Sequence, residues 1–303
     1  MNWNIFPPRR AYPYAPGDQV CVKSKDTKVR YWRGKVISVD DRTGIHVQPQ
    51  HGDNPPPSTV KNPNKLIPLF CRKEPTIVVT GESSYFRQQS CQVNEHDTVL
   101  EIGCCNGETS KLLIPRAKHW IGFDTSDAFI EECRQFMKDY PHSTHIAKVD
   151  ALVHPGKAVD EATKFGSRPN VVFLDIGGNR ECYNVLRMLS WCRERLGDNL
   201  ELVVIKSREL VQTLLSTAQV DRVTGAVDDG DEWLKHHRVR RVLPKHPLRA
   251  PRAMTPDGTK EICRYHNYHN DGCTLPECPL DHDHCPACFG RDHIARDCSL
   301  FRD

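Results

Sequence analysis

Six of the 14 cysteines sit in the last 41 residues, interleaved with histidines. Cys285, Cys288, His293 and Cys298 follow the pattern Cys-x2-Cys-x4-His-x4-Cys. Three thiolates and one imidazole suit a tetrahedral Zn²⁺ ion. Just upstream, Cys263, Cys273, Cys278 and His282 are spaced Cys-x9-Cys-x4-Cys-x3-His, with His284 a rival for the fourth ligand. A different partition, Cys273 and Cys278 with Cys285 and Cys288, would consume ligands of the better-spaced downstream set. So few apolar residues surround these positions that metal must supply most of the local folding free energy, on the order of 10 kcal/mol per site. With four protein ligands per ion and no open position, both zinc sites are expected to be structural.

A second group of chemically capable residues lies at the ends of apolar runs. Val99–Ile102, which contains Glu101, leads into Gly103-Cys104-Cys105-Asn106-Gly107. The runs that follow end at Asp124, Asp150, Asp175 and Lys206. The elements that must position them alternate: strands at Trp120–Asp124, His145–Val149, Asn170–Asp175 and Leu200–Ile205, with helices from Glu108, over Asp127–Tyr140 and over Arg180–Leu196. Such alternation predicts an α/β domain with a parallel sheet covered on both faces. Ligands of open sheets of this kind bind outside the carboxyl ends of the strands. Each acid alone reads equally well as a helix N-cap or turn residue; their order along the chain is what carries the argument.

The bend Gly103-x-x-x-Gly107 is not the G-x-G-x-x-G dinucleotide fingerprint. It resembles motif I of the class I S-adenosylmethionine-dependent methyltransferases, acid-x-Gly-x-Gly-x-Gly, with Cys105 in place of the middle glycine. The resemblance spans roughly residues 97–242 and implies a Rossmann-like methyltransferase sheet. It further implies that Glu101, Gly103, Cys105, Gly107, Asp124, Asp150 and Asp175 surround S-adenosylmethionine. In that family Asp124, 21 residues past Gly103, would take the ribose diol, and Asp150 the adenine amino group.

The reaction class follows from what flanks the fourth strand. Asp175-Ile-Gly-Gly-Asn179 lacks the Asn/Asp-Pro-Pro-aromatic signature of amino-group enzymes acting on bases. Cys182, the nearby cysteine, falls in a helix start, where a packing role outweighs that of a cytosine C5 nucleophile. Asp175 and Lys206 on neighbouring strand ends resemble the fibrillarin-like and FtsJ-like RNA 2′-O-methyltransferases. That resemblance makes Asp175 and Lys206 the catalytic candidates. A lysine depressed in pKa by burial could deprotonate a ribose hydroxyl or stabilise the alkoxide, positioned by the aspartate. Otherwise Lys206 is simply an ion-pair partner of Asp175. Lys65 and Lys73 are candidates by position alone for the upstream lysine of the set.

Residues 1–16 hold four prolines and read as an irregular lead-in. Residues 17–70 show short alternating strands around Asp40-Asp-Arg-Thr-Gly44 and resemble an SH3- or Tudor-like β barrel. There Tyr31 and Trp32 either form an aromatic surface for a methylated protein tail or nucleic acid, or pack the core. Residues 71–95 connect this module to the α/β domain, 96–243. Residues 235–252 carry seven Lys/Arg, three His and no acid. Arg238–Leu243 reads as a last strand and 244–260 as a linker. Such a patch suits phosphates or serves as a solvated face.

Within the tail, 261–283 resembles a CCCH zinc finger and 284–300 a retroviral-type CCHC zinc knuckle, a single-stranded RNA binder. Phe289 and Ile294 fall where the knuckle family stacks bases, and Tyr265 and Tyr268 could do the same or cover the zinc. The chain has 303 residues, 38% of them hydrophobic, and a net charge of +3. That charge is too mild to argue nucleic-acid binding by itself. No stretch approaches a membrane span, and the clustered cysteines suit a reducing compartment. The expectation is an intracellular protein, nuclear or cytoplasmic, with single-stranded RNA as partner. The alternatives are an adaptor with an inactive methyltransferase-like domain and a protein methyltransferase.

Overall fold

The computed structural model describes residues 1–7, 12–23, 31–40, 42–50, 57–176, 182–239, 246–250, 252–286 and 290–298. In chain order the strands and helices begin with β1 (Asn2–Ile5), β2 (Gln19–Lys23), β3 (Tyr31–Asp40), β4 (Gly44–Pro49), β5 (Ser58–Val60), β6 (Leu66–Pro68), β7 (Thr76–Thr80) and α1 (Ser83–Gln88). The alternating part follows: β8 (Thr98–Ile102), α2 (Ser110–Leu113), β9 (His119–Asp124), α3 (Asp127–Met137), β10 (Thr144–Lys148) and α4 (Pro155–Ala162). It continues through β11 (Val171–Leu174), α5 (Cys182–Leu196), β12 (Leu202–Lys206), α6 (Arg208–Thr217), β13 (Ala226–Val227), α7 (Gly230–Val239) and α8 (Arg264–Tyr268).

Eight strands form one sheet in the order β10-β9-β8-β11-β12-β7-β1-β13. Every neighbouring pair is parallel except β1 with β13. The central strands are buried except for Lys206 at the end of β12, as near-continuous apolar runs such as Val171–Leu174 require when helices cover both faces. Strand pleating sorts their side chains by parity. Leu100, Ile102, Val172, Leu174, Val203 and Ile205 pack on one face with α4, α5 and α6. Val99, Val171, Phe173, Leu202 and Val204 pack on the other with α1, α2 and α3. From β8 the chain runs outward to β9 and β10, then returns to β11 on the opposite side, so the sheet has its switch point between β8 and β11.

Three strands of this sheet lie where the sequence reading placed none: β1, β7 and β13, the last pairing Ala226 and Val227 with Asn4 and Trp3. The lead-in contains β1, which pairs Ile5 with Val79. The connector contains β7, which sits between β12 and β1. The signal for β7 is present in the sequence: Thr76-Ile-Val-Val-Thr80 is β-branched throughout. At the other end, the strand expected over 238–243 is not there as far as 239, where the chain is helical in α7; 240–243 lie outside the described residues. The expected linker packs instead. Met254 donates its N–H to the Val153 carbonyl at 3.0 Å, and Ala253 and Thr255 are buried. Among the described residues no helix is long and apolar enough to cross a membrane.

The smaller sheet is antiparallel throughout, ordered β5-β4-β3-β2-β6, over a core of Val20, Val22, Trp32, Val36 and Val47. Successive residues of β3 point to opposite faces, so Trp32 fills this core while Tyr31 packs against the larger sheet's cluster. The two rings therefore do not build one exposed aromatic surface. The sheets are joined by Arg33, which donates to the Cys91 and Val93 carbonyls at 2.9 and 2.8 Å. The ion pair Arg72–Asp97, 2.7 Å long and largely buried, holds the start of the connector.

Candidate active site and metal clusters

The bend after β8 is built on two close approaches. Gly103 has φ +84°, and a Cβ there would lie 1.8 Å from the Asp175 carbonyl oxygen. Gly107 has φ +76°, and a Cβ there would meet the Phe136 ring at 2.3 Å. A side chain at Gly103 would have to displace backbone, and one at Gly107 would have to turn the Phe136 ring aside. Cys105, standing where the resemblance expects a glycine, keeps the left-handed conformation at φ +49°. Its N–H donates to Asp124 Oδ2 at 2.8 Å, and its carbonyl accepts from the Cys133 thiol at 3.2 Å. A cysteine thus takes the backbone geometry of the missing glycine, at a cost of about 1 kcal/mol.

A cleft of about 270 Å³ opens above this bend at the switch point, and Gly103, Cys105, Asp124, Asp150, Asp175 and Lys206 all line it. Asp124 ends β9. Besides Cys105, it accepts the N–H groups of Thr125 and Ser126 on Oδ1, at 2.8 and 2.9 Å, which turns the chain into α3. Asp150 accepts from the Leu152 N–H at 3.0 Å. Asp175 follows β11, and Lys206 ends β12. The β11–β12 register, Leu174 opposite Ile205, brings them side by side, with Nζ 2.7 Å from Oδ2. Both side chains are about one-quarter exposed, at 25% and 21%.

Glu101 is placed differently from the other acids. It shares the parity of Val99, so it turns away from the cleft into the opposite face. There its Oε2 accepts from Ser110 Oγ at 2.7 Å and Trp120 Nε1 at 2.9 Å. Burial pushes its carboxyl up to about 8, the two hydrogen bonds opposing this and the charges of Asp175 and Asp124 adding to it. Glu101 therefore supports the bend from behind, protonated at neutral pH, and is not among the residues that line the cleft.

Cys182 starts α5. Burial and the nearby Glu209 push its thiol up to about 11, a poor setting for a nucleophile. Lys65 lies in a 3-10 turn of the smaller sheet. Lys73 precedes β7 and so lies at the amino end of the strands, whereas Thr80 at the other end of β7 pairs with Lys206. Neither completes the Asp175–Lys206 pair. Residues 177–181, with the Gly177-Gly178-Asn179 segment, lie outside the described residues.

In the C-terminal region Cys263, Cys273, Cys278 and His282 bring one ligand atom each within 4.8 Å of all the others. The Sγ atoms of Cys263 and Cys278 are 3.8 Å apart, which is the edge of a tetrahedron with Zn–S bonds of about 2.3 Å. His282 Nε2 is buried and makes no hydrogen bond among the described residues. An orphaned imidazole nitrogen beside three thiols fits a metal. The rival His284 is engaged elsewhere: Nε2 accepts from Arg291 at 2.9 Å, so Nδ1 carries the proton and donates to Asp281 at 3.1 Å. Cys285, His293 and Cys298 form a second cluster within the same spacing. Asp292 lies 2.7 Å from His293 Nδ1 and orients that ring, as carboxylates commonly do for metal-ligating imidazoles. Cys288 and Phe289 lie outside the described residues.

The second cluster sits in a small core, in which Tyr268 packs with Cys285, Ala295 and Cys298. Tyr268 is thereby removed from the list of base-stacking candidates, because it covers the cluster. Tyr265 is 39% exposed and lies between the rings of His246 and His269, at 6.3 and 6.0 Å. Ile294 is half-buried. A residue missed in the sequence ties this body to the cleft. Arg187 of α5 is buried, and its Nη2 donates to the carbonyls of Leu152, which lines the cleft, and Pro286, at 3.1 and 3.2 Å. A lone arginine in the otherwise apolar run Val185-Leu186-Arg187-Met188-Leu189 is the signal that could have found it.

Neither a protein-family model nor a curated protein matches the chain. Solved structures that are distantly similar include the following three. Precorrin 8w decarboxylase from Methanobacterium thermoautotrophicum is 13% identical over 46% of this chain and 74% of its own, at a TM-score of 0.34. A dimethyladenosine transferase from Plasmodium falciparum is 16% identical over 53% and 69%, at 0.35. An rRNA methylase from Streptococcus thermophilus is 15% identical over 45% and 76%, at 0.31. At such scores the likeness carries no argument about the reaction, which is left to the cleft itself.

Proposed function

We propose that the chain is a class I S-adenosylmethionine-dependent methyltransferase acting on RNA, with a ribose 2′-hydroxyl as the methyl acceptor. The observation that carries this is the Asp175–Lys206 pair, 2.7 Å apart on neighbouring strand ends, opening into the same cleft as the Gly103–Gly107 bend, Asp124 and Asp150. The donor set fits the cofactor: carboxylates for hydroxyl and amino donors, and a bend that brings backbone close. S-adenosylmethionine supplies an electrophilic methyl group on a sulfonium. Asp124 accepts from the cofactor's ribose and Asp150 from its adenine amino group. Asp175 holds the Lys206 ammonium at the mouth of the cleft, where it would stabilise the charge on the ribose oxygen as the hydroxyl proton passes to solvent and the new oxygen–methyl bond replaces the carbon–sulfur bond, S-adenosylhomocysteine leaving. Ile102, Phe129 and Met188 give the cleft its apolar surface.

Zinc in each C-terminal cluster, with Cys288 completing the second, makes these modules folded presenters of single-stranded RNA in the manner of CCCH and CCHC fingers. The order of the smaller sheet, with β6 beside β2 and a 3-10 turn leading into β6, supports an SH3- or Tudor-like barrel. Its candidate ligand is a protein tail or a nucleic acid, the alternative being a module that only mediates contacts.

One observation favours a second reading, an RNA-binding adaptor without turnover: three backbone N–H groups already occupy the Asp124 carboxylate. Titration calorimetry with S-adenosylmethionine, repeated with Asp124→Ala, separates the two. Heat from the parent protein and none from the variant supports the enzyme; no heat from either ends that reading. Labelled cofactor incubated with total RNA or total protein, with Lys206→Ala as control, then reads the substrate class.

A further inference from the structure

A second cavity, of about 280 Å³, opens on the same carboxyl rim of the large sheet and shares no lining residue with the cleft. It lies beyond Lys206, over the ends of β7 and β1. Lys206 pairs with Thr80, and Val79 with Ile5, so the cavity sits one to two strand spacings from the lysine, roughly 5–10 Å. Arg208, two residues after Lys206, stands at its lip.

The cavity is pre-formed. Ser207 N–H donates to the Thr80 carbonyl at 2.8 Å, Phe6 N–H to Val79 at 2.9 Å and Ile5 N–H to Gly225 at 2.7 Å. Gly225 at φ +77° lets the chain pass so close that a Cβ there would lie 2.2 Å from the Ile5 carbonyl oxygen. Phe6 and Tyr85 meet edge to face at 5.9 Å and 82° on one wall, and Val211 and Leu215 add further apolar surface. At the lip Arg208 Nη2 lies 2.7 Å from Glu82 Oε1. An apolar slot with aromatic rings, edged by the guanidinium groups of Arg208 and Arg222, the carboxylates of Glu82 and Asp221 and the Gln212 amide, matches a nucleobase. Its faces stack, and its edge presents both acceptors and an amino group. The volume is at the small end of ligand sites, enough for one ring system.

We propose that this cavity holds the base of the nucleotide adjacent to the one whose ribose meets Lys206, and so selects single-stranded RNA gripped at two neighbouring positions. This rests on the RNA methyltransferase reading. A base seated in such a slot is unstacked and unpaired, which excludes a continuous duplex.

The test uses the full-length, zinc-loaded protein and a set of single-stranded RNA decamers in which one abasic residue is walked along the strand. Affinities are read by fluorescence anisotropy at one salt concentration. With the parent protein, one position is expected to lose about 10-fold, the scale of one lost stacking contact. Tyr85→Leu loses about 10-fold on the intact strand and nothing more when that same position is abasic. Arg208→Gln, at a solvent-exposed side chain, repeats the coupling at that position should Tyr85→Leu fold poorly. Equal abasic losses in parent and variants at every position overturn the assignment, as does a variant effect confined to peptide substrates or an absence of RNA binding. Cofactor calorimetry on the same preparation reports separately on the reading beneath. Heat with the cofactor but no coupling removes the cavity assignment alone. No heat removes the methyltransferase and the cavity assignment with it.

Discussion

Gly103 and Asp175 are in backbone contact across the switch point, so close that a Cβ on Gly103 would stand 1.8 Å from the Asp175 carbonyl oxygen. The bend after β8 and the end of β11 are therefore one rigid unit, and the loop that shapes the cleft also sets where the Asp175 carboxylate emerges.

Gly103→Ala must push two strands apart. It is expected to lower stability by about 3 kcal/mol or more, the range of severe core lesions, and to abolish cofactor heat. Cys105 tests the same bend from the other side. Cys105→Gly removes side-chain strain but frees the unfolded chain, so stability should change by less than about 1 kcal/mol. Cys105→Val sets a β-branched residue at φ +49° and should lose about 1–2 kcal/mol. Urea unfolding of the three variants checks this. A parent-like midpoint for Gly103→Ala would show that the two backbones are not in contact.

Glu101 gives the protein a specific pH dependence. Its folded carboxyl sits at about 8, while an unfolded glutamate titrates near 4.3. Below the lower value both states hold the proton, and Glu101 does not penalise folding. Between the two the unfolded state gives up its proton and the folded state keeps it, so stability falls as pH rises, by at most about 1.4 kcal/mol per unit. Above the folded value the penalty is complete. Glu101→Gln retains an acceptor for Ser110 and Trp120 and should flatten the decline between pH 5 and 8. Urea midpoints across that range in parent and variant make the comparison, and identical slopes would mean that Glu101 is ionised in the folded protein.

The central strands were legible because a sheet covered on both faces demands continuous apolar runs, and Val171–Leu174 and Leu202–Ile205 can hardly be anything else. The strand ends were legible for the same reason, so Asp124, Asp150, Asp175 and Lys206 could be placed on one rim in advance. Which way Glu101 points depends on pleat parity, which the neighbouring Leu100 and Ile102 already implied. Strands β1 and β13 were missed because they are short and their partners lie far along the chain, whereas β7 was missed although its β-branched run signals it. A four-residue strand beside prolines gains its stability from β7, and local propensity does not register it. Tyr268 and the choice between His282 and His284 turn on side-chain packing within a small metal body, where ligand spacing leaves both options open.

The two histidines separate cleanly by metal content. Elemental analysis of the parent is expected to give two zinc ions per chain. His282→Ala removes a ligand and should leave one. His284→Ala breaks the contacts to Asp281 and Arg291 but should keep two, losing instead about 1–3 kcal/mol because the buried Asp281 carboxylate gives up a hydrogen bond. Retention of both ions in His282→Ala together with loss of one in His284→Ala would reverse the assignment.

Arg187 supplies the last prediction. Its guanidinium is buried between the Leu152 and Pro286 carbonyls, so the wall of the cleft and the second metal cluster share one donor. Met254 and Val153 reinforce the same seam through a backbone hydrogen bond. Arg187→Met keeps volume and apolar stem but withdraws the donor, leaving two buried carbonyls unpaired at roughly 1–3 kcal/mol. The C-terminal body should keep its zinc and become separable, so limited proteolysis should cut in the 244–260 segment much faster than in the parent. Cofactor affinity should fall with it, since Leu152 and Met188 both line the cleft. Parent-like cleavage and affinity in Arg187→Met would show that the seam is held by apolar packing and that the arginine is incidental.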